Sequence, residues 1–337
     1  MKKALAMILA CLLNTQNTRV MATGEFAQEF LRYKDDNIHA VYAQRFLKVA
    51  KDTTLSAHYK MNAAKELVNI GAEYIFIAAE VYLDIAKDTR ESGYYRTDAV
   101  KELSNLGALY QQKVPALYLE IALEKRLPGN ERLYAAKFLA RLGKEYSPMA
   151  AQAYLFIATD TRVSGYHRID AARALAEFED AGQSYIIQAY LSIVSDKNIR
   201  WDCNMNPAKA RIYAANILIR LVDKYHPQVA QACLEIATNT TQIEFRDRIR
   251  GAELLARLGV KYQSQAAHAY FSIAMSFSND ISDNHIRCNC AKALASLGEP
   301  YKQQAIQAYL HILKTFVGSE KIRCDVKKAL ADLGVAA

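Results

Sequence analysis

Apolar and polar positions along the chain follow a pattern that returns every 36 residues and is clearest at residues 132–167. That unit reads R-x-x-A-A-x-x-L-A-x-L-G-x-x-Y, breaks at Ser147-Pro148, and resumes as A-x-A-Y-L-x-I-A-x-D. Set the opening Arg at zero and step about 100° per residue. The Ala pair at +3 and +4, Leu at +7, Leu at +10 and Tyr at +14 then fall in one stripe, the buried face of a first helix. A Gly just past the second Leu ends that helix in a left-handed cap or admits a close neighbour. The resumed stretch, from Ala150 to Asp160, puts Ala153, Tyr154, Ile157 and Ala158 on one side of a second helix. Each unit therefore predicts two antiparallel amphipathic helices.

Three columns hold this register. The opening basic residue is Lys60, Arg96, Arg132, Arg168, Arg211, Arg248, Arg287 and Arg323. An aromatic follows fourteen residues later at Tyr74, Tyr110, Tyr146, Tyr225, Tyr262 and Tyr301, with Gly182 the exception. Twenty-two residues after the opening come Tyr82, Tyr118, Tyr154, Tyr190, Cys233, Tyr270 and Tyr309. A period of this length marks units that bury their apolar faces only against their neighbours, so the prediction is an all-α solenoid of about eight two-helix repeats.

Departures from the period predict loops. The charged run Lys34-Asp35-Asp36 opens one at residues 34–46, Asp196 to Ala210 adds seven residues around Trp201 and Arg200, and Ser276 to His285 forms a polar, mobile third. Trp201 is either a plug folded onto the ridge or a contact residue on a loop held by a rigid scaffold. Arg323 to Gly334 reads as a closing first helix without its mate. Residues 1–37 carry two readings. Met1 to Leu13 has the basic start and short apolar run of a secretory signal, with cleavage after Val20-Met21-Ala22. Alternatively Ala4 to Leu9 aligns with Ala308 to Leu313 and makes the segment a degenerate capping repeat, leaving 38–337 as one repeat domain. The capping reading places the protein in the cytoplasm, and cleavage of residues 1–22 would place it outside.

Composition adds a net charge of +8 and a pI near 9.0, which favours acidic partners: nucleic acid, an acidic protein surface or anionic lipid. No stretch after residue 13 reaches the roughly 18 continuous apolar residues of a membrane span. Of six cysteines, Cys233 and Cys290 occupy columns of buried residues and read as small apolar groups. Cys288 and Cys290 point apart on a helix, which argues against a shared zinc ion, and Cys288 and Cys324 sit too far apart for a disulfide. Seven histidines are scattered, and no H-E-x-x-H, G-x-S-x-G, G-x-G-x-x-G or G-x-x-x-x-G-K-[ST] string occurs. Neither an enzyme nor a cofactor is expected.

The opening Arg borders the apolar stripe, so it must pair with something fixed, a carboxylate or the carbonyls ending an adjacent helix. Recognition is expected on the opposite face. Five residues after the Arg stand Lys65, Lys101, Lys137, Arg173, Asn216, Glu253, Lys292 and Lys328, six of the eight basic. Nine after it come Arg141, Arg220 and Arg257 among polar and acidic residues. These cations, with Trp201, are the candidate partner-binding residues. They form a basic groove if the helix lines an inner wall, or an ordinary solvated face if it meets bulk water.

Asp followed eight residues later by Arg and then Ala-Ala-x-x-Leu, as in Asp88 to Arg96 and Asp160 to Arg168, resembles HEAT and armadillo repeats. The run L-x-x-L-G-x-x-Y at Leu139 to Tyr146 is similar to a tetratricopeptide first helix, although the later Ala and aromatic positions come about five residues early. The resemblance implies a right-handed α-α superhelix with a concave surface and an Asp–Arg ladder between repeats, interrupted at Glu124, Asn239, Ser276 and Thr315. It sets up the leading expectation, a noncatalytic protein-interaction scaffold holding an acidic or extended protein partner, in one version a bacterial protein acting on host factors. The alternative is a HEAT-like nucleic-acid-binding protein using the same row.

Overall fold

A computed structural model describes residues 36–178, 182–200, 206–221, 223–240, 243–276, 281–315 and 320–335. Among them all regular structure is helical and no strand occurs. The chain divides into two compact units, residues 1–150 and 151–337. In the first, the opening helices Ala57–Ile70, Gly93–Ser104 and Gly129–Ala140 alternate with the return helices Ile75–Lys87 and Val114–Leu123. In the second, the opening helices are Gly165–Leu175, Pro207–Leu221, Phe245–Arg257, Ile281–Ser296 and Glu320–Asp332. Its return helices are Gly182–Ser195, His226–Thr238, Gln263–Ala274 and Lys302–Thr315, after the part of Ser147–Thr159 that follows residue 150. Within each unit, helices pack on those before and after them in the chain.

The apolar columns are the core. Leu67, Leu103, Leu139, Leu175, Leu218, Leu255, Leu294 and Leu330 at +7 are wholly buried. So are the Ala and Val residues at +4, from Ala64 and Val100 to Ala252 and Ala291, where a small side chain lets the return helix approach. Tyr82, Tyr118, Tyr154, Tyr190, Tyr270 and Tyr309 occupy equivalent buried places, with Cys233 standing in for one ring. The last opening helix differs: Lys327 is exposed where seven others bury Ala or Val, giving it a polar outer face.

Four expectations need correction. Tyr at +14 does not ride on the first helix. That helix ends earlier, and Tyr74, Tyr146, Tyr225, Tyr262 and Tyr301 sit in separate 3-10 turns. Gly71 before Tyr74 is ordinary extended backbone at φ 179°, but at four other breaks Gly107, Gly143, Gly259 and Gly298 have φ of 116°, 146°, 96° and 104° with ψ near 180°. This mirror-extended region is essentially restricted to Gly and differs from the left-handed cap, one of the two roles expected of this Gly. Residues 34–46 are not a loop throughout, because a helix runs Asp36–Lys51 with Ala43 and Ala50 buried. Ser276 to His285 is likewise helical from Ile281. The readings of residues 1–22 and of Trp201 fall on segments outside the described residues.

Each opening Arg from Arg96 to Arg287 is buried and clamps the preceding return helix. Its Nε donates to the carbonyl four residues after the ring column: Arg96 to Ala86 at 2.8 Å, Arg132 to Ala122 at 2.9 Å, and Arg168 to Ala158 at 2.9 Å. Despite the insertions before them, Arg211 reaches Val194 at 2.9 Å, Arg248 reaches Ala237 at 3.0 Å, and Arg287 reaches Ala274 at 3.0 Å. A cation on carbonyls that a helix end leaves over satisfies both the donor and the helix dipole.

In the second unit the guanidinium also reaches forward. Arg168 pairs with Asp196 and donates to Ser192, Arg211 meets Glu235 at 2.9 Å, Arg248 meets Ser276 at 3.0 Å, and Arg287 meets Thr315 at 2.9 Å. An Asp–Arg pair therefore occurs at Arg168. Where the expected Asp is Ser276 or Thr315 a hydroxyl takes its place, and where it is Asn239 the carboxylate comes from Glu235.

Candidate functional site

The predicted row is exposed along its length, as its angle on the helix requires: Lys65, Lys101, Lys137, Arg141, Arg173, Arg220, Arg257, Lys292 and Lys328 all face solvent. Many of these cations are already engaged, with their own helix or with a neighbouring one. Lys65 pairs with Glu102 at 2.9 Å. Lys101 and Arg141 both lie 5.8 Å from the centre of the Phe138 ring. Arg173 stacks 5.4 Å over Tyr213, donates from Nε to its hydroxyl at 3.4 Å, and lies 3.5 Å from Asp170. The Tyr213 contact raises the pKa of Arg173 above its ordinary value. Arg257 donates to Asn216 at 2.9 Å. Among the described residues, Lys137, Arg220, Lys292 and Lys328 make no ion pair or ring contact, so they remain available to a partner.

The same face is less basic than one column suggests. Glu66, Asp98 and Glu102 in the first unit, and Asp170, Glu253 and Asp325 in the second, stand on the helix faces that carry the cations. Part of the positive charge is not on the surface: among the described residues six arginines and one carboxylate, Asp247, are buried. The composition therefore overstates how basic the exterior is.

In the first unit a chain of rings runs from surface to core: Tyr94 to Tyr134 at 5.1 Å, Tyr134 to Phe138 at 5.0 Å, and Phe138 to buried Tyr118 at 5.7 Å. Its hydroxyls are used internally. Asn130 donates to Tyr94 at 3.0 Å, and Tyr134 donates to Asp98 at 3.1 Å. This cluster ties repeats together and uses the hydroxyls of Tyr94 and Tyr134 internally.

Among the described residues, cavities in the second unit include two of interest. One of about 460 Å³ is lined by His285, Cys288, Lys292, Asp325 and Lys328 among others, which brings two of the predicted cations together. The other, about 1040 Å³, lies beside Lys197, Arg211 and Glu235 at the loop expected to carry function. Burial pushes the Glu235 carboxyl up, but hydrogen bonds from Lys197, Gln231 and Arg211 outweigh it and hold the group at about 2. Asp247 is fully buried with no hydrogen bond to either oxygen. Desolvation raises its pKa against the pull of Lys209 and Arg250. No group of three His, Cys, Asp or Glu able to hold a metal is found among the described residues. Cys233, Cys288, Cys290 and Cys324 are free thiols, and burial pushes Cys233 up to about 12 and Cys288 up to about 11.

Sequence reasoning overlooked the return helices. In the second unit, position +20 holds Gln188, Gln231, His268 and Gln307, all exposed, and +23 holds half-buried Leu191, Leu234 and Phe271 with exposed Leu310. Both columns recur at fixed register in the sequence, but neither carries the charge that marks the row on the first helix. A scan against family models matches none, and a search of curated proteins finds no relative.

Proposed function

We propose that the chain is a HEAT-like helical-repeat solenoid acting as a noncatalytic protein-interaction scaffold, with the exposed face of its opening helices as a contact surface. One observation carries the reading. The buried polar groups are spent chiefly on joining helices, whereas Lys137 in the first unit and Arg220, Lys292 and Lys328 in the second stand exposed and uncommitted, three at +5 and Arg220 at +9. Cations so placed suit an acidic or extended protein partner. Burial of the arginine column weighs against nucleic acid, which needs many exposed cations to displace counterions.

The test is capture of partners by the full chain and by a variant in which these four residues become Glu. Loss of a protein held by the parent supports the row as the contact, and unchanged capture removes it. Duplex DNA titrated across salt separates the alternative. Log affinity falling steeply with log salt, by about 0.9 per phosphate neutralised, would favour nucleic acid.

A further inference from the structure

The four return helices Gly182–Ser195, His226–Thr238, Gln263–Ala274 and Lys302–Thr315 form a surface unlike the rest of the second unit. Successive ones pack side by side. Together they carry Glu235, Lys302 and Lys314 and no other Asp, Glu, Lys or Arg, whereas the opening helix Phe245–Arg257 alone carries six. A surface of about 25–35% charged residues is the target for keeping a domain soluble, and these four helices fall well short of it. Glu235, moreover, is already held by Arg211 and Lys197.

What replaces charge is regular. Positions three apart on a helix share a face, so the exposed amide column of Gln188, Gln231 and Gln307, with His268, runs beside the apolar column of Leu191, Leu234, Phe271 and Leu310. Gln188, His268 and Gln307 make no hydrogen bond, ion pair or ring contact among the described residues. The side-chain oxygens of Gln265 and Gln304, one turn earlier on their helices, also lack a partner.

We propose that this wall of the second unit is a docking surface for an uncharged polypeptide segment in the polyproline II conformation. The inference rests on the reading of the chain as an interaction scaffold but uses a different face from the basic row. Three physical points select the occupant. An amide offers a donor and an acceptor and is complementary to a peptide group. Polyproline II has no internal hydrogen bonds, so its carbonyls are open to such a partner. The repeat lengths also match: packed helices lie about 8–10 Å apart, and a polyproline II turn of three residues rises about 9.3 Å. Every third ligand side chain thus meets the next Leu or Phe, and a carbonyl in each turn meets the next Gln. An extended strand, returning to the same side about every 6.6 Å, falls out of step within one repeat. Acidic or basic ligand side chains gain nothing here, because burying a charge against uncharged groups is costly.

The probe is a fluorescein-labelled peptide of five Leu-Pro-Pro units titrated against the full chain by anisotropy, beside peptides with Leu at every fourth position or with Gly replacing Pro. Binding is expected for the first and about tenfold weaker for both controls. Gln188→Glu combined with Gln307→Glu, both at exposed sites, should weaken binding by about tenfold while leaving the circular dichroism and melting temperature of the parent. Equal affinity for the off-register peptide, no binding up to about 1 mM, or an unchanged double variant overturns the proposal. The Glu variant of Lys137, Arg220, Lys292 and Lys328 should bind the Leu-Pro-Pro peptide as the parent does. Failure here therefore leaves the basic-row reading untouched, and failure there leaves this one.

Discussion

Two columns of basic residues share the same opening helices, five positions apart, and behave as different kinds of group. At position zero, Arg96, Arg132, Arg168, Arg211, Arg248 and Arg287 are sealed in the interior, each holding the end of the preceding helix. At +5, Lys65, Lys101, Lys137, Arg173, Lys292 and Lys328 stand in solvent. In a sequence both are simply basic. Five residues turn the helix through about 500°, which places the second column some 140° from the first and on the far side of the apolar stripe. The lesson is that net charge says little about a surface until the buried part is subtracted.

The largest effect that would break this contrast is on the interior column. Arg168→Ala should destabilise the chain by about 3–5 kcal/mol in urea titration, because it leaves Asp196 without its partner in a largely buried place. A loss under about 1 kcal/mol would show that the clamp is ornamental. Arg96→Met sharpens the point. Both terminal nitrogens of Arg96 are buried without partners, so an apolar side chain of similar length should cost less than Arg168→Met by about 2 kcal/mol or more. Equal costs would locate the stabilisation in the Nε bond to the helix-end carbonyl, which both arginines make.

Next in size is a pH dependence at Arg211. The Glu235 carboxyl, ordinarily near 4.5, is held at about 2 in the folded chain. A depressed carboxyl stabilises the fold fully above its unfolded value and loses that contribution as pH falls toward its folded value. Stability should therefore drop between about pH 4.5 and 2, and the drop should be smaller in Glu235→Gln. Identical pH profiles would contradict the ion-pair cluster. The smallest effect belongs to the exposed column: Lys137→Ala should change stability by less than about 0.5 kcal/mol, and any consequence should appear in partner binding.

Much of the fold was readable because burial imposes a period. The Leu column at +7 and the ring column at +22 were assigned correctly from spacing, and both are buried throughout. The expectation that the opening Arg must meet a carboxylate or helix-end carbonyls was also met, since a guanidinium bordering an apolar stripe has few other options. Tyr at +14 was misplaced because its angle fits the stripe while Gly143 and its equivalents break the helix before it. Angle is blind to a backbone break. The row at +5 was placed on the correct side, but its cross-links, such as Lys65 to Glu102 and Arg173 to Tyr213, join residues 37 and 40 apart and carry no local signal.

The sequence by itself determined that helices form, which face each one buries and which residues recur in register, because those follow from 3.6 residues per turn and the removal of apolar groups from water. Only the tertiary structure decided which charges remain available, because that depends on what the neighbouring helix sets opposite each one. It sealed the arginine column inside, engaged part of the lysine and arginine row, and left an almost uncharged wall of Gln and Leu on the return helices of the second unit.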